Sequence, residues 1–325
     1  MLTALFWFIL SSALTAATPA LPSSCWLQDA AQVGDSTTLL LCDQGVILAG
    51  RADEPWTALR LPENQNLRAM YFLDRERGIV TGDRGLVLLT EDGGRSWRRV
   101  VAGVEQNLTA VFALGEDIWI GSSGGLILHS ADGGRSWSRQ PTYNNLPIES
   151  IFFYDRNRGW AVGWSGLILL TRDGGRSWLQ INLPGVWERL SSVYFEDPEN
   201  GWACGMYGLV LRTSDGGESW QRVQVPVKSW ITSIVVDSDG ILWAAAEYAL
   251  LSSADRGTHW KVEPVNTQAA LTRLVRAAGG IMAFGPGLVM TRRSGAEGWS
   301  RLEVEEILRN ATLGKPRETE QRLHS

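Results

Sequence analysis

The sequence predicts an all-β fold, a seven-bladed β-propeller of four-stranded antiparallel blades, and three observations carry that prediction. One motif recurs at a fixed interval: Thr90-Glu-Asp-Gly-Gly-Arg-Ser-Trp97 returns at 130–137, 171–178 and 213–220, and in degenerate form at 253–260. With the remnants that end at Trp56 and Trp299, seven tryptophans fall 41, 40, 41, 42, 40 and 39 residues apart. Each unit also holds four short apolar runs separated by Gly-rich turns, and no helical period of apolar residues competes with them. A repeat of about forty residues carrying four strands marks a propeller blade. One such sheet cannot bury its faces alone, and radial stacking buries them against neighbours.

From the N-terminus, Met1 to Leu14 is an apolar run followed by the small residues Thr15, Ala16 and Ala17, so residues 1–17 read as a signal peptide. An uncleaved anchor is the alternative, but the run has no preceding Lys or Arg and is shorter than the roughly 20 residues of a spanning helix. Either reading exports the body to the periplasm or the outer side of the cytoplasmic membrane, where peripheral membrane association is open to it. Cys25 follows Pro-Ser-Ser, and Pro22 stands where a lipoprotein signal prefers a branched apolar residue, which argues against lipidation. In an oxidising compartment Cys25 and Cys42 can close a short disulfide loop, while Cys204 lies in an apolar strand and reads as core. His129, His259 and His324 are isolated, so no metal site or other cofactor is expected.

The propeller is expected over 26–307. First strands read as Leu108-Thr-Ala-Val-Phe or Ser192-Val-Tyr-Phe, second strands as Gly159-Trp-Ala-Val-Gly or Gly201-Trp-Ala-Cys-Gly, and third strands as Gly125-Leu-Ile-Leu or Gly166-Leu-Ile-Leu. The fourth begins at each repeated Trp. The turn Ser/Thr-x-Asp-Gly-Gly-x-Ser-Trp between third and fourth strands is an Asp-box. Its Asp can accept backbone N–H bonds of its own hairpin, its Gly pair supplies positive φ, and its Trp packs on a neighbouring turn. Repetition of this kind serves folding and not catalysis. The last strand is expected to reach about Ile307, and the polar stretch 308–325, with Gly314 and Pro316, to form a mobile tail.

Composition agrees with a folded body: 44% of residues are hydrophobic and 20% charged. A net charge of -5 gives no basic surface for nucleic acid. Of the sixteen Trp, seven close the repeats, Trp119, Trp160, Trp202 and Trp243 share one second-strand position, and Trp7 lies in the leader. Trp26, Trp164, Trp187 and Trp230 have no such structural role and therefore carry information about function.

In a propeller the loops joining strand two to three, and strand four to the next blade, emerge on one face. Trp164, Tyr207 and Tyr248 belong to the first kind, and Tyr143, Trp187 and Trp230 to the second, so all six are expected on that face over the middle and later blades. Clustered exposed aromatics mark partner sites, since Trp and Tyr combine large area with a polar handle. Arg68, Arg84, Arg189 and Arg273 sit in loops or strand starts of the same face, where they can pair with an acidic partner segment. The competing reading is that these aromatics merely plug the channel mouth. On the opposite face, Arg75, Arg77, Arg156 and Arg158 read as solvated turn charges.

In Gly-Trp-Ala-Val-Gly, Gly-Leu-Ile-Leu-x-Thr and Asp-Gly-Gly-x-Ser-Trp together, the chain resembles the photosystem II stability/assembly factor family over nearly all of 26–307. That family consists of exported seven-bladed propellers. The resemblance implies a scaffold that assists assembly of a membrane complex, holding an integral membrane protein or its exposed segment from the outer side, in the thylakoid lumen where the organism is photosynthetic. The chain departs from the family in lacking a convincing lipoprotein cysteine and in its eroded boxes in blades one, six and seven. Two other functions use the same aromatic face. Carbohydrate or cell-wall binding would stack sugars on it. A sialidase-like glycosidase would need facing carboxylates, for which Glu149 and Glu188 are the candidates, and inserted loops for which the 39 to 42 residue spacing leaves no room. The expectation is a non-catalytic binding scaffold.

Overall fold

A computed structural model describes residues 25–313 apart from 35–36, 52–54, 62–64, 266, 268, 278 and 297. The segment read as a signal peptide and the tail beyond 313 lie outside the described residues. Seven four-stranded antiparallel sheets succeed one another along the chain, at 27–60, 67–101, 108–140, 148–180, 190–223, 231–263 and 273–303, and form blades 1 to 7 of a ring. The four antiparallel strands of every blade come from one contiguous segment, with the first strand innermost, and blade 1 alone gains a short fifth strand from the C-terminal end of the described chain.

The core lies between blades. Among the described residues seven buried clusters occur, one at each blade junction, including one that joins blade 7 to blade 1. The second-strand residues Trp119, Trp160, Trp202 and Trp243 are almost fully buried in them. Each hides roughly 200 Å², on the order of 5 kcal/mol before ordering entropy is subtracted. Three of their indole N–H groups bond across to the next blade, while Trp243 donates to Asp237 of its own blade at 2.7 Å. Trp119 donates to the Gly174 carbonyl of the next blade at 3.0 Å and Trp160 to Gly216 at 2.9 Å, while Trp202 reaches Arg256 at 3.3 Å. Trp119 and Trp160 also stack on Phe153 and Phe195 of the next blade, with ring centroids 3.7 and 3.5 Å apart. Those two Phe in turn meet Trp178 and Trp220 edge to face.

The Asp-Gly-Gly hairpins explain why the repeat is written as it is. Asp92 accepts the Ser96 N–H at 2.9 Å and the Ser96 hydroxyl at 2.7 Å, and the Thr90 hydroxyl, itself a donor to Asp92, accepts Gly94 N–H at 2.9 Å. Asp132, Asp173 and Asp215 repeat the set, and His259 takes the place of the Ser opposite Asp255. Both Gly of each intact pair have positive φ, 73° and 87° for Gly93 and Gly94. Burial opposes the charge on Asp215, but the Ser219 hydroxyl and N–H outweigh it and hold the carboxyl down to about 2. Asp92 and Asp173 are lowered by the same balance, and Asp132 chiefly by the Ser136 hydroxyl.

Two expectations need correction. The last strand ends at Glu303, and Val304–Asn310 is a helix, α1, whose Val304, Ile307 and Leu308 are buried against blades 1 and 7. The chain then adds Thr312–Leu313 in parallel to the outer strand of blade 1, Thr57–Arg60. The stretch from 308 to 313 is therefore part of the packed body. The spacing of Val304, Ile307 and Leu308 at i, i+3 and i+4, with Glu305 and Glu306 in the first turn and Arg309 in the last, is a helical signal that strand alternation had obscured. The second correction concerns the turn charges opposite the aromatic face, which are bonded and not merely solvated. Arg77 bridges Asp74 and the next blade's Glu116, Arg156 reaches back to Asp117, and Arg158 pairs with Asp155.

A disulfide joins Cys25 to Cys42, tying the entry of the first strand of blade 1 to the end of its second, and Cys204 is a buried free thiol. At the seam between blades 1 and 7, Asp29 is buried and faces Arg273 at 3.1 Å, while its other oxygen accepts Met70 N–H of blade 2 at 2.9 Å.

Candidate partner-binding face

The face opposite the Asp-Gly-Gly hairpins is knit by its own backbone. In blade 4, Trp164 N–H bonds the Pro147 carbonyl of the preceding connection, and Gly166 N–H bonds the Glu188 carbonyl of the following one. Blade 5 repeats this through Met206 to Arg189 and Gly208 to Ser229. Each second-to-third strand turn thus clips two blade connections together and gives their side chains a rigid base. The middle residue of these turns is left-handed: Gln44, Arg84, Ser165 and Tyr207 have φ between 53° and 59°. A bulky residue is uncommon there, and Tyr207 holds the conformation with its ring exposed.

Three of the expected residues come together. The Arg189 guanidinium lies 5.4 Å from the centroid of Trp164 and 4.8 Å from that of Trp230, and bonds Glu149 at 2.8 Å. Glu149 also accepts the Trp164 indole N–H at 2.5 Å, and Trp230 donates to the Ser191 hydroxyl at 2.6 Å. Arg189 Nε is buried with no hydrogen-bond partner among the described residues. Tyr143, Trp187, Tyr207 and Tyr248 lie outside this cluster as exposed rings, Tyr143 at 90% and Trp187 and Tyr207 at 70% each. Tyr143 is also left-handed, with φ 54°. Trp26 is a further exposed ring beside the mouth, and its backbone N–H donates to Asp43 at 3.1 Å.

The arginines divide differently from the aromatics. Arg68 is bound to Asp83, Arg189 to Glu149, and Arg273 to Asp29 inside the channel wall. Only Arg84 of the four is exposed without an ion pair among the described residues, in the left-handed turn whose N–H bonds Asn107. Glu188 is buried and bonds Arg222 at 2.9 Å; burial opposes its charge, but the Arg222 guanidinium prevails and keeps the carboxyl below its usual range. The two carboxylates considered for glycoside chemistry are therefore each engaged by an arginine. Among the described residues no group of three or more His, Cys, Asp or Glu is placed to hold a metal ion.

Below the mouth the inner strands enclose a channel of about 790 Å³. Its upper wall carries Glu149, Ser150, Arg189, Ser191, Ser192 and Trp230. Lower down, Tyr71, Phe112, Phe152 and Tyr194 form an arc through blades 2 to 5, with successive ring centroids 5.1, 5.3 and 5.3 Å apart. Sequence reading passed over this arc, although all four occupy one register position of the first strand and an alignment of the repeats would have shown it.

The sequence pattern of one family, described as Photosynthesis system II assembly factor YCF48, matches residues 48–152 and 148–277. The chain belongs to the YCF48 family. The second matched segment runs from blade 4 into blade 7 and contains Trp164, Arg189 and Trp230. No curated protein matches the sequence. Among solved structures, YCF48 from Cyanidioschyzon merolae superposes with a TM-score of 0.70 at 18% identity, covering 86% of this chain and 98% of that one. A structure of YCF48 bound to D1 peptide superposes with a TM-score of 0.60 at 19% identity, over 87% and 86% of the two chains. Virginiamycin B lyase from Staphylococcus aureus gives a TM-score of 0.72 at 12% identity, over 81% and 92%. At these identities the superpositions establish a shared propeller fold, and membership of the YCF48 family rests on the sequence pattern.

Proposed function

We propose that this YCF48-family chain is a non-catalytic scaffold that works outside the cytoplasm and holds an exposed segment of a membrane protein across the aromatic face. The observation that carries the reading is the Trp164–Arg189–Trp230 cluster, a guanidinium between two indoles, set among exposed Tyr143, Trp187, Tyr207 and Tyr248. Aromatic rings and arginine are the residue types that concentrate binding energy at protein interfaces. The structure of YCF48 bound to D1 peptide supports a peptide-sized ligand by family analogy. The Cys25–Cys42 disulfide supports an oxidising compartment. Engagement of Glu149 and Glu188 by arginines favours binding over hydrolysis.

The test is capture from crosslinked membranes by the intact protein beside a Trp164→Ala, Trp187→Ala, Tyr207→Ala, Trp230→Ala variant, with circular dichroism to confirm folding. A membrane protein retained by the first and lost by the second is the expected result. Equal capture by both, or recognition of glycans on an array by the intact protein, would refute the assignment.

A further inference from the structure

We infer that the lower half of the central channel is a second binding site, for a small organic anion carrying a carboxylate on an apolar or aromatic body. The site lies below the partner face in the same channel, and its case rests on shape, apolarity and one charge. The whole channel, upper wall included, encloses about 790 Å³, and small-molecule sites occupy roughly 300–1,000 Å³, so its lower half has room for a small ligand. The arc of Tyr71, Phe112, Phe152 and Tyr194 is half-buried: each ring packs against a blade-junction cluster on one side and lines the channel with the surface left over. Ala31, Val235 and Val275 complete the belt across from them. Apolar surface facing a narrow water-filled space gains by being covered, at about 25 cal/mol per Å², and rings angled at 49° to 56° to one another form a concave wall that fits a flat or chain-like body.

The charge is Arg276, at the lower mouth. It is exposed and lines the channel together with Tyr194, the last ring of the arc. The other channel-wall arginines differ: Arg68, Arg189 and Arg273 each hold a carboxylate of their own. Glu196, the acid close to Tyr194, is turned to Arg256 at 3.4 Å. Arg276 is therefore a guanidinium beside an apolar belt with no internal acid among the described residues, and a carboxylate carried by a ligand would supply the fork-shaped partner it lacks.

The probe is 3-phenylpropionate, titrated into the full chain by calorimetry, with 3-phenylpropanamide as its uncharged counterpart. One-to-one saturable binding of the acid is expected, with the amide weaker by roughly tenfold or more, the loss that accompanies a charged hydrogen bond. Arg276→Met should weaken the acid to the level of the amide and leave the amide unchanged. Phe152→Leu should weaken both, and a Trp187→Ala, Tyr207→Ala variant of the partner face should bind both as the parent does. Absence of binding up to about 10 mM, equal affinity for acid and amide, or parental affinity in both Arg276→Met and Phe152→Leu would overturn the inference.

Discussion

Gly159 and Gly201 begin the second strands of blades 4 and 5, and their backbones lie against the faces of Phe153 and Phe195. A Cβ at 159 would meet Phe153 ring carbons at 2.4 to 2.5 Å, in a place where Trp119 and Trp178 already clasp the same ring. Gly159→Ala should therefore cost about 1–3 kcal/mol through overpacking, read as a lower urea midpoint with an unchanged slope. Gly103→Ala is no control for space, since its φ of 71° brings backbone strain; Gly298 has open room and is the better comparison. Much at this scale was legible in the chain. Trp119, Trp160, Trp202 and Trp243 shared one repeat position, and Trp164 and Trp230 stood out because the repeat could not account for them. What linear reading could not show is the side chains' mutual commitment. Arg273 and Arg68 look like free face cations by position, yet each is held by an acid that folding brings from elsewhere, Asp29 across the ring seam and Asp83 from the next strand's turn.

Elements of this fold titrate against one another. The Asp-Gly-Gly hairpins bind their carboxylates in the charged form, so Asp92, Asp173 and Asp215 have folded values below the unfolded 3.8. Their contribution to stability is present above about pH 4 and is lost as pH falls toward about 2, the value of Asp215. Asp29 has the opposite sign. Burial raises it despite Arg273 and two backbone N–H donors, so it favours the fold when protonated and loses that contribution as pH rises past 3.8. With several hairpins set against one seam residue, thermal unfolding should shift to lower temperature between pH 5 and 2. In an Asp29→Asn variant the decline over this interval should be steeper, because a carboxyl that opposes the hairpins is gone. A scan of melting temperature against pH for both proteins checks the sign. The hairpins were predictable because their signal is local, eight residues that close on themselves. Helix α1 was not, because seven residues after a β repeat carry too short a period to outweigh the pattern before them.

For the whole molecule, the ring is seven nearest-neighbour junctions, six between blades adjacent in sequence and one between blades 7 and 1. Cys25–Cys42 stiffens the blade that receives both ends of the described chain, and its loop of 17 residues implies a loss of roughly 3 kcal/mol on removal. Cys25→Ser, Cys42→Ser protein should show that loss in denaturant unfolding, and the parent should match it under reducing conditions. The seam is held by side chains and by the segment C-terminal to the last blade. Among the described residues no strand of blade 7 enters blade 1; α1 lays Val304, Ile307 and Leu308 into their shared cluster, and Thr312–Leu313 latches onto the outer strand of blade 1. Thr38 and Met282, which meet across it, are 244 residues apart in the chain. Such a contact is slow to find, since its loop-closure entropy must be met before it rewards the chain. Blades 1 to 6 can each settle on a neighbour as they emerge, but the circle stays open until the residues of α1 are available. During synthesis, blade 1 therefore waits with one apolar flank uncovered until most of the polypeptide has been made, and that flank is where a holding chaperone would be needed.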